Sequence, residues 1–197
     1  MPLNNFHLFD VLKTYIESRI PITPQEMDRI RSVSQIKKLR KKQYLLQEGD
    51  VWAWHAFVAS GCLRTYTIDD KGLEHIISFA IENWWVGDRT SLLSGNPATF
   101  NIDAVEDSTV VLINKPNFEH LCKELPALNA MANSILEKSF SVLQQRLSAN
   151  ISYTAEQKYQ EFLEKYPSLA LRIPQHMIAS YLGITPETLS RLRKRGA

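Results

Sequence analysis

The sequence predicts an α+β fold: a β-barrel or jelly roll in the N-terminal half, then a long helix, then an all-helical C-terminal domain ending in a helix-turn-helix. Three observations carry this reading. Between Ile36 and Ile113 the chain breaks into short apolar segments bounded by turn residues, the pattern of a barrel. After Pro116 apolar residues return at helical spacing. From Gln175 to Lys194 two short helical patterns are joined through Gly183, where a tight turn needs a left-handed residue.

The elements follow in order. Phe6, Phe9, Leu12, Tyr15 and Ile16 give residues 6–19 a helical period. Thr23-Pro24-Gln25-Glu26 is a helix start: Thr23 caps, Pro24 suits the first helical position, and Glu26 closes a capping box. Met27, Ile30 and Val33 line that short helix. Strands are then expected at Tyr44–Leu46, Trp54–Val58 and Cys62–Ile68, the last with Leu63, Thr65 and Thr67 on one face and Arg64, Tyr66 and Ile68 on the other. Asp69-Asp70-Lys71-Gly72 is a hairpin turn, and Leu73–Ala80 is its return strand. Ile102–Val105 and Thr109–Ile113 form a last expected pair around Glu106-Asp107-Ser108.

Helices are expected over 117–125 and 126–149. The second carries two apolar stripes: Leu128, Met131, Ile135 and Val142, and beside them Leu136, Phe140, Leu143 and Leu147. A helix with two such faces can pack on its own domain with one and on a partner helix with the other. The first stripe, Leu128, Met131, Ile135 and Val142, is taken as the dimer interface. Beyond it come helices over about 154–166, a turn bounded by Pro167, and helices at 174–182 and from Pro186 onward. The domains are expected at 1–125, 126–150 and 151–197.

Composition narrows the class. Apolar residues are 44% and charged residues 22% of 197, ordinary for a globular protein with a core. No apolar run reaches a membrane span, and Met1–Asp10 lacks the pattern of a signal peptide. Cys62 and Cys122 have no metal-ligand spacing, which argues for a reducing cytoplasm and against a disulfide framework, a zinc site or an iron–sulfur cluster. Net charge is +2 overall, yet residues 151–197 hold seven Lys and Arg against four Glu. The excess lies at Arg191-Leu-Arg193-Lys194-Arg195, which suits a polyanion.

In the terminal hairpin, Ala179 is small where two helices cross, Gly183 follows four residues on, and Leu189 six further. Ile178 and Leu182 can bury against Leu189 and Leu192. Thr185 caps the second helix and Pro186 opens it. Such a second helix enters the major groove, where Arg reads guanine and Glu accepts from cytosine. Candidate DNA contacts are Thr185, Glu187, Thr188, Ser190 and Arg191, with Arg193, Lys194 and Arg195 on phosphates.

Barrel, long helix and this hairpin together resemble the Crp/Fnr superfamily of bacterial transcription regulators over nearly the whole chain. Ile178-Ala-Ser-Tyr-Leu-Gly-Ile-Thr-Pro-Glu-Thr-Leu-Ser-Arg191 is similar to its signature, in which a Glu and an Arg read bases; the resemblance gives those roles to Glu187 and Arg191. The Arg that often precedes the Glu is Pro186 here, so one base contact is missing. The β-hairpin wing that usually follows is expected to be absent or truncated, since the sequence stops at Ala197.

The N-terminal half resembles the superfamily's cyclic-nucleotide-binding fold: Glu48-Gly49-Asp50, Val58-Ala-Ser-Gly61 and Gly87-Asp88 match its glycines and acidic positions. There a phosphate cassette ends on an Arg-Ser pair. Counting back from Ala104 puts Ala98 and Thr99 in those places, and alanine cannot pair with a phosphate. The candidate effector pocket is Gly87, Asp88, Arg89, Thr90, Ala98 and Thr99, with no cofactor expected and cyclic AMP disfavoured. Expected partners are double-stranded DNA and a second copy of the chain, with RNA polymerase and an unidentified small-molecule effector as further candidates.

Rival classes fare worse. No nucleophile–base group, paired-carboxylate site or glycine-rich phosphate loop supports an enzyme. A cupin-like metal barrel needs a His and Glu cluster, and only His55 and His75 fall on barrel strands. Trp52, Trp54, Trp84 and Trp85 read as core. A cyclic-nucleotide or other small-molecule sensor without a DNA role leaves the C-terminal hairpin unexplained.

Overall fold

The computed structural model describes the backbone from Asn5 to Arg195 and side chains from Leu8 to Lys194. Helix α1 (Asn5–Glu17) buries Leu8, Phe9, Leu12, Tyr15 and Ile16. Helix α2 (Pro24–Ser32) starts on the expected capping box: the Thr23 hydroxyl accepts from the Glu26 N–H, and the Glu26 carboxylate accepts from the Thr23 N–H at 2.7 Å.

The barrel strands are β1 (Ser34–Leu39), β2 (Tyr44–Leu46), β3 (Trp54–Ser60), β4 (Leu63–Ile68), β5 (Glu74–Ala80), β6 (Trp85–Val86), β7 (Asn101–Ala104) and β8 (Ser108–Asn114). They form two four-stranded sheets, in the orders β1-β8-β3-β6 and β2-β7-β4-β5. One apolar core joins them: Leu39, Ala56, Val58, Val110 and Leu112 come from the first sheet, and Leu63, Ile102 and Ala104 from the second. The alternation expected on β4 holds, with Leu63 in that core and Arg64 opposite Asp103 on the other face. Helix α3 (Arg89–Ser94) lies between β6 and β7 in the chain and adds Leu92 to this core.

The barrel differs from expectation in three ways. Residues 102–105 and 109–113 are not a pair: β7 pairs with β2 and β4, whereas β8 pairs with β1 and β3. Glu106-Asp107 carries the chain from one sheet to the other, and Val110 and Leu112 find partners on both sides of β8. Strand β1, Ser-Gln-Ile-Lys-Lys-Leu, lacks an apolar signature and forms because β8 offers it a six-residue register, Ser34 to Ile113 through Leu39 to Ser108. Strand β6 has two residues, too few for any periodic signal.

Helices α4 (Lys115–Glu124), α5 (Pro126–Ser152), α6 (Ala155–Lys165), α7 (Pro167–Arg172), α8 (Gln175–Leu182) and α9 (Pro186–Arg195) complete the chain. The segment after Pro167, expected as a turn, is a short helix with that proline in its first turn. Two compact units result. One holds the chain up to Thr67 and Phe79–Ser134, the other Ile68–Ser78 and Ile135 onward. One division between these units falls inside α5. Leu128 and Met131 at its start are buried in the first unit, while most of the helix after Ile135 is exposed.

An aromatic cluster anchors the first unit. Phe57 of β3 lies 4.9 Å from the Tyr15 ring and 5.3 Å from the Trp85 ring, and Trp85 meets Phe118 of α4 edge-on. The His55 imidazole stacks on Phe118 at 3.9 Å. Burial first, then the positive charges of Arg89 and Lys115, push its pKa down to about 4. His55 is therefore neutral in the folded protein at pH values where the unfolded chain binds a proton. This group leaves stability unchanged above about pH 6.5, lowers it as pH falls from there to about 4, and adds nothing further below. Urea denaturation across that window is expected to show the decline, and His55→Gln is expected to make it shallower. An unchanged slope in the variant would count against the buried neutral imidazole.

Candidate nucleic-acid interface

The second unit builds the helical hairpin from local signals. Helix α6 begins on a capping box between Thr154 and Gln157 and buries Tyr159 and Phe162. Phe162 packs between Tyr166 and Tyr181, with ring centroids 5.7 and 5.6 Å away. Ile178, Ala179 and Leu182 of α8 and Leu189 of α9 are all buried, as the spacing required, and Leu192 is half-buried. Gly183 ends α8 at φ +66°, and the N–H of Ile184 reaches back to the Ala179 carbonyl at 3.0 Å. An L side chain seldom adopts that backbone, so glycine is what allows the sharp turn.

Thr185 sets the start of α9: its hydroxyl accepts from the Thr188 N–H at 3.2 Å and lies 3.1 Å from the Thr188 hydroxyl. The Thr188 hydroxyl accepts in turn from the Arg191 guanidinium at 3.3 Å. Glu187 sits in the first turn of α9. Its own backbone N–H and the Thr185 hydroxyl hold its carboxyl below the usual range, and the Arg191 charge adds to this. At about 100° per residue, Glu187, Ser190, Arg191 and Lys194 fall within a single arc of roughly 100°. All four are exposed. Thr188 is half-buried and Arg193 exposed, each about 60° beyond one edge of that arc, and the Arg195 side chain lies outside the described residues, as does any wing.

The effector candidates come together, but not as an open pocket. Asp88 is 3% exposed and caps α3. One carboxylate oxygen accepts from the Ser91 N–H at 2.9 Å and the other from the Thr99 N–H at 3.4 Å. Ala98 is buried in the intersheet core, and its N–H donates to the Asp50 carbonyl. Gly87 lies against Trp52: a Cβ there would fall 2.5 Å from the indole Nε1. Arg89, Thr90 and Thr99 are exposed, and Arg89 lies close enough to His55 to disfavour its protonation. Among the described residues no group of three His, Cys, Asp or Glu side chains could hold a metal ion.

The expected dimer residues separate. Leu128 and Met131 are buried in the first unit and have no surface for a partner; Ile135 is half-buried, and only Val142 is open. Most open apolar side chains of α5 lie on the other stripe, where Leu136 is half-buried and Phe140 is 61%, Leu143 55% and Leu147 62% exposed, and on Ile151 one turn beyond it, 79% exposed. The two stripes had equal apolar content in sequence, so nothing local told which one the protomer would bury. Sequence reasoning also passed over Arg146, although it continues the stripe of Val142 by one turn. A charge at a stripe position was the available signal.

A β-barrel, a long helix and an exposed helix built on a helix-turn-helix follow one another in this chain. The cyclic nucleotide-binding domain family matches residues 36–125. The anaerobic regulatory protein of Pasteurella multocida (strain Pm70) is 30% identical over 191 residues, 89% of this chain and 69% of its own. The transcriptional activator protein anr of Pseudomonas aeruginosa is 26% identical over 191 residues, 89% of this chain and 76% of its own. Among solved structures, FixK2 from Bradyrhizobium japonicum shares the fold with TM-score 0.73 at 20% identity, covering 83% of this chain and 84% of that one. The chain belongs to the Crp/Fnr family of transcription regulators. No described helix is long and apolar enough to cross a membrane.

Proposed function

We propose that this chain binds double-stranded DNA as a homodimer, reads a near-palindromic site with α9, and does not respond to cyclic AMP. The observation that carries the DNA reading is the exposed arc of Glu187, Ser190, Arg191 and Lys194 on a helix whose opposite side is buried on α8. A protein-binding hairpin has no need of that polar set, whereas base edges and phosphates use every member of it. A sensor without DNA leaves the arc without a role. Arg191 is held by Thr188 before any DNA arrives, which lowers the entropy lost on contact.

The dimer reading rests on the open stripe Phe140, Leu143, Leu147 and Ile151, spaced 3, 4 and 4 residues apart like a coiled-coil seam. A two-fold pair of recognition helices then sits ~34 Å apart, one turn of DNA. The reading against cyclic AMP rests on Ala98, which buries a methyl where the resemblance expects the arginine that pairs with a phosphate.

Arg191→Ala is expected to weaken binding to a selected operator by about 1–3 kcal/mol and relax preference at one base pair. Lys194→Ala should weaken all duplexes alike and lower the salt slope by about one. Titrations at several salt concentrations measure both, and an unchanged operator affinity in Arg191→Ala would place the reading face elsewhere. Leu147→Lys should yield a monomer at micromolar concentration by analytical ultracentrifugation, while Leu128→Ala should lower stability by about 2–5 kcal/mol without changing the mass. A monomeric parent protein sinks the seam. Isothermal titration should show no low-micromolar binding of cyclic AMP; binding that also tightened DNA affinity would overturn the reading of Ala98.

A further inference from the structure

Arg146 lies on the stripe of α5 that includes Val142 and Ala149, where a packing residue would be expected. Its guanidinium is partly buried and stacks on the Tyr181 ring with its central carbon 3.9 Å from the centroid. It donates to three carbonyls of the same unit: those of Ile77 and Ile76 in the return strand of the 69–72 turn, the latter at 3.4 Å, and that of Tyr181 at 2.9 Å. Tyr181 stands in the last turn of α8, where carbonyls lack helical partners and a cation is favoured. The neighbouring residue repeats the connection. The Ser180 hydroxyl accepts from the Ile76 N–H and donates to the Glu74 carbonyl, each at 3.0 Å, as a paired strand would along the open edge of β5.

Ser180 of α8 is thus tied directly to residues 74 and 76, and Tyr181 is tied to residues 76 and 77 through Arg146 of α5. The tie falls one turn before Gly183, the pivot that sets the direction of α9. Burial depresses the Arg146 pKa, though it stays cationic, so its desolvation is a cost that an apolar side chain would avoid. An apolar residue would fill the space, but it would not select one placement of the α8 carbonyls. What the guanidinium adds is directional: three acceptors met from one planar fork.

We propose that Arg146, assisted by Ser180, is a positioning residue for DNA recognition, holding the C-terminal end of α8 on residues 74–77 so that the Gly183 turn presents α9 in its reading orientation. This rests on the DNA-binding reading above. Arg146 touches no DNA itself, so its effect should appear in sequence discrimination and not in phosphate attraction.

The test uses the full chain and an operator selected by the parent protein from a random duplex pool. Arg146→Met, which keeps length and apolar bulk, is expected to lose about tenfold in operator affinity and less than about twofold on a scrambled duplex. Arg146→Lys should recover part of the loss. Ser180→Ala should shift discrimination in the same direction and speed hydrogen exchange at the Ile76 amide, whose acceptor it removes. The proposal is overturned if Arg146→Met keeps operator affinity, or if it loses equally on both duplexes. Should Arg146→Met not fold, Ser180→Ala, which retains the guanidinium, decides by the same comparison: unchanged discrimination with faster Ile76 exchange overturns the proposal. A parent protein that selects no operator removes the DNA-reading function instead, a separate outcome.

Discussion

The close crossing of α8 over α9 is the constraint on which the reading surface depends. Ile178, Ala179, Leu182 and Leu189 are buried together there. A methyl at Ala179 lets two helix backbones approach, and the left-handed Gly183 lets the chain turn within three residues. Once Leu189 is committed to α8, helical geometry turns Glu187, Ser190, Arg191 and Lys194 outward as a group. The polar face of α9 therefore follows from an apolar contact on its far side. Thr185, Thr188 and Arg191 then form a short chain of hydroxyl and guanidinium contacts that arranges part of that face before it meets a ligand.

In the barrel, backbone and side chains satisfy one another around Asp88 and Ala98. Its glycines remain where the backbone must bend or approach closely, as at Gly87 beside Trp52. At the helix start that could receive an anion, the chain supplies its own. Asp88 is buried, satisfied by two backbone N–H groups, and well placed to stabilise α3 and the loop before β7 at once. Ala98 meanwhile faces the intersheet core.

Each unit also contains a guanidinium withdrawn from solvent and used for direction. In the barrel, Arg64 pairs with Asp103 across β4 and β7 through two parallel contacts of 2.8 and 3.0 Å, and stacks on Tyr66. Tyr66 completes the network at Asp103 and Tyr44. That pair sits directly opposite in the ladder, so it specifies register as well as neutralising charge. Arg146 has carbonyls in place of a carboxylate and links backbone segments. In both cases planar donor geometry contributes a choice among arrangements that apolar packing of equal volume would leave open.

Much of this was legible in the sequence because the signals were local. Thr23 to Glu26 and Gly183 to Pro186 each act within a few residues, and each formed as read. The barrel class, the long helix and the recognition helix followed from periodicity, which needs only the chain itself. The tertiary structure decided what required a distant partner. Polar β1 became a strand because β8 had an open edge; β7 and β8 parted into different sheets; α5 buried Leu128 and Met131 and left Phe140, Leu143, Leu147 and Ile151 open, although both stripes were equally apolar. Arg146 acquired a role only when the chain brought carbonyls from residues 74–77 and from α8 to one guanidinium. Capping and periodicity are short-range energies written in adjacent residues; pairing, face selection and the satisfaction of a buried charge depend on which remote groups arrive, and that is known only once the chain has closed on itself.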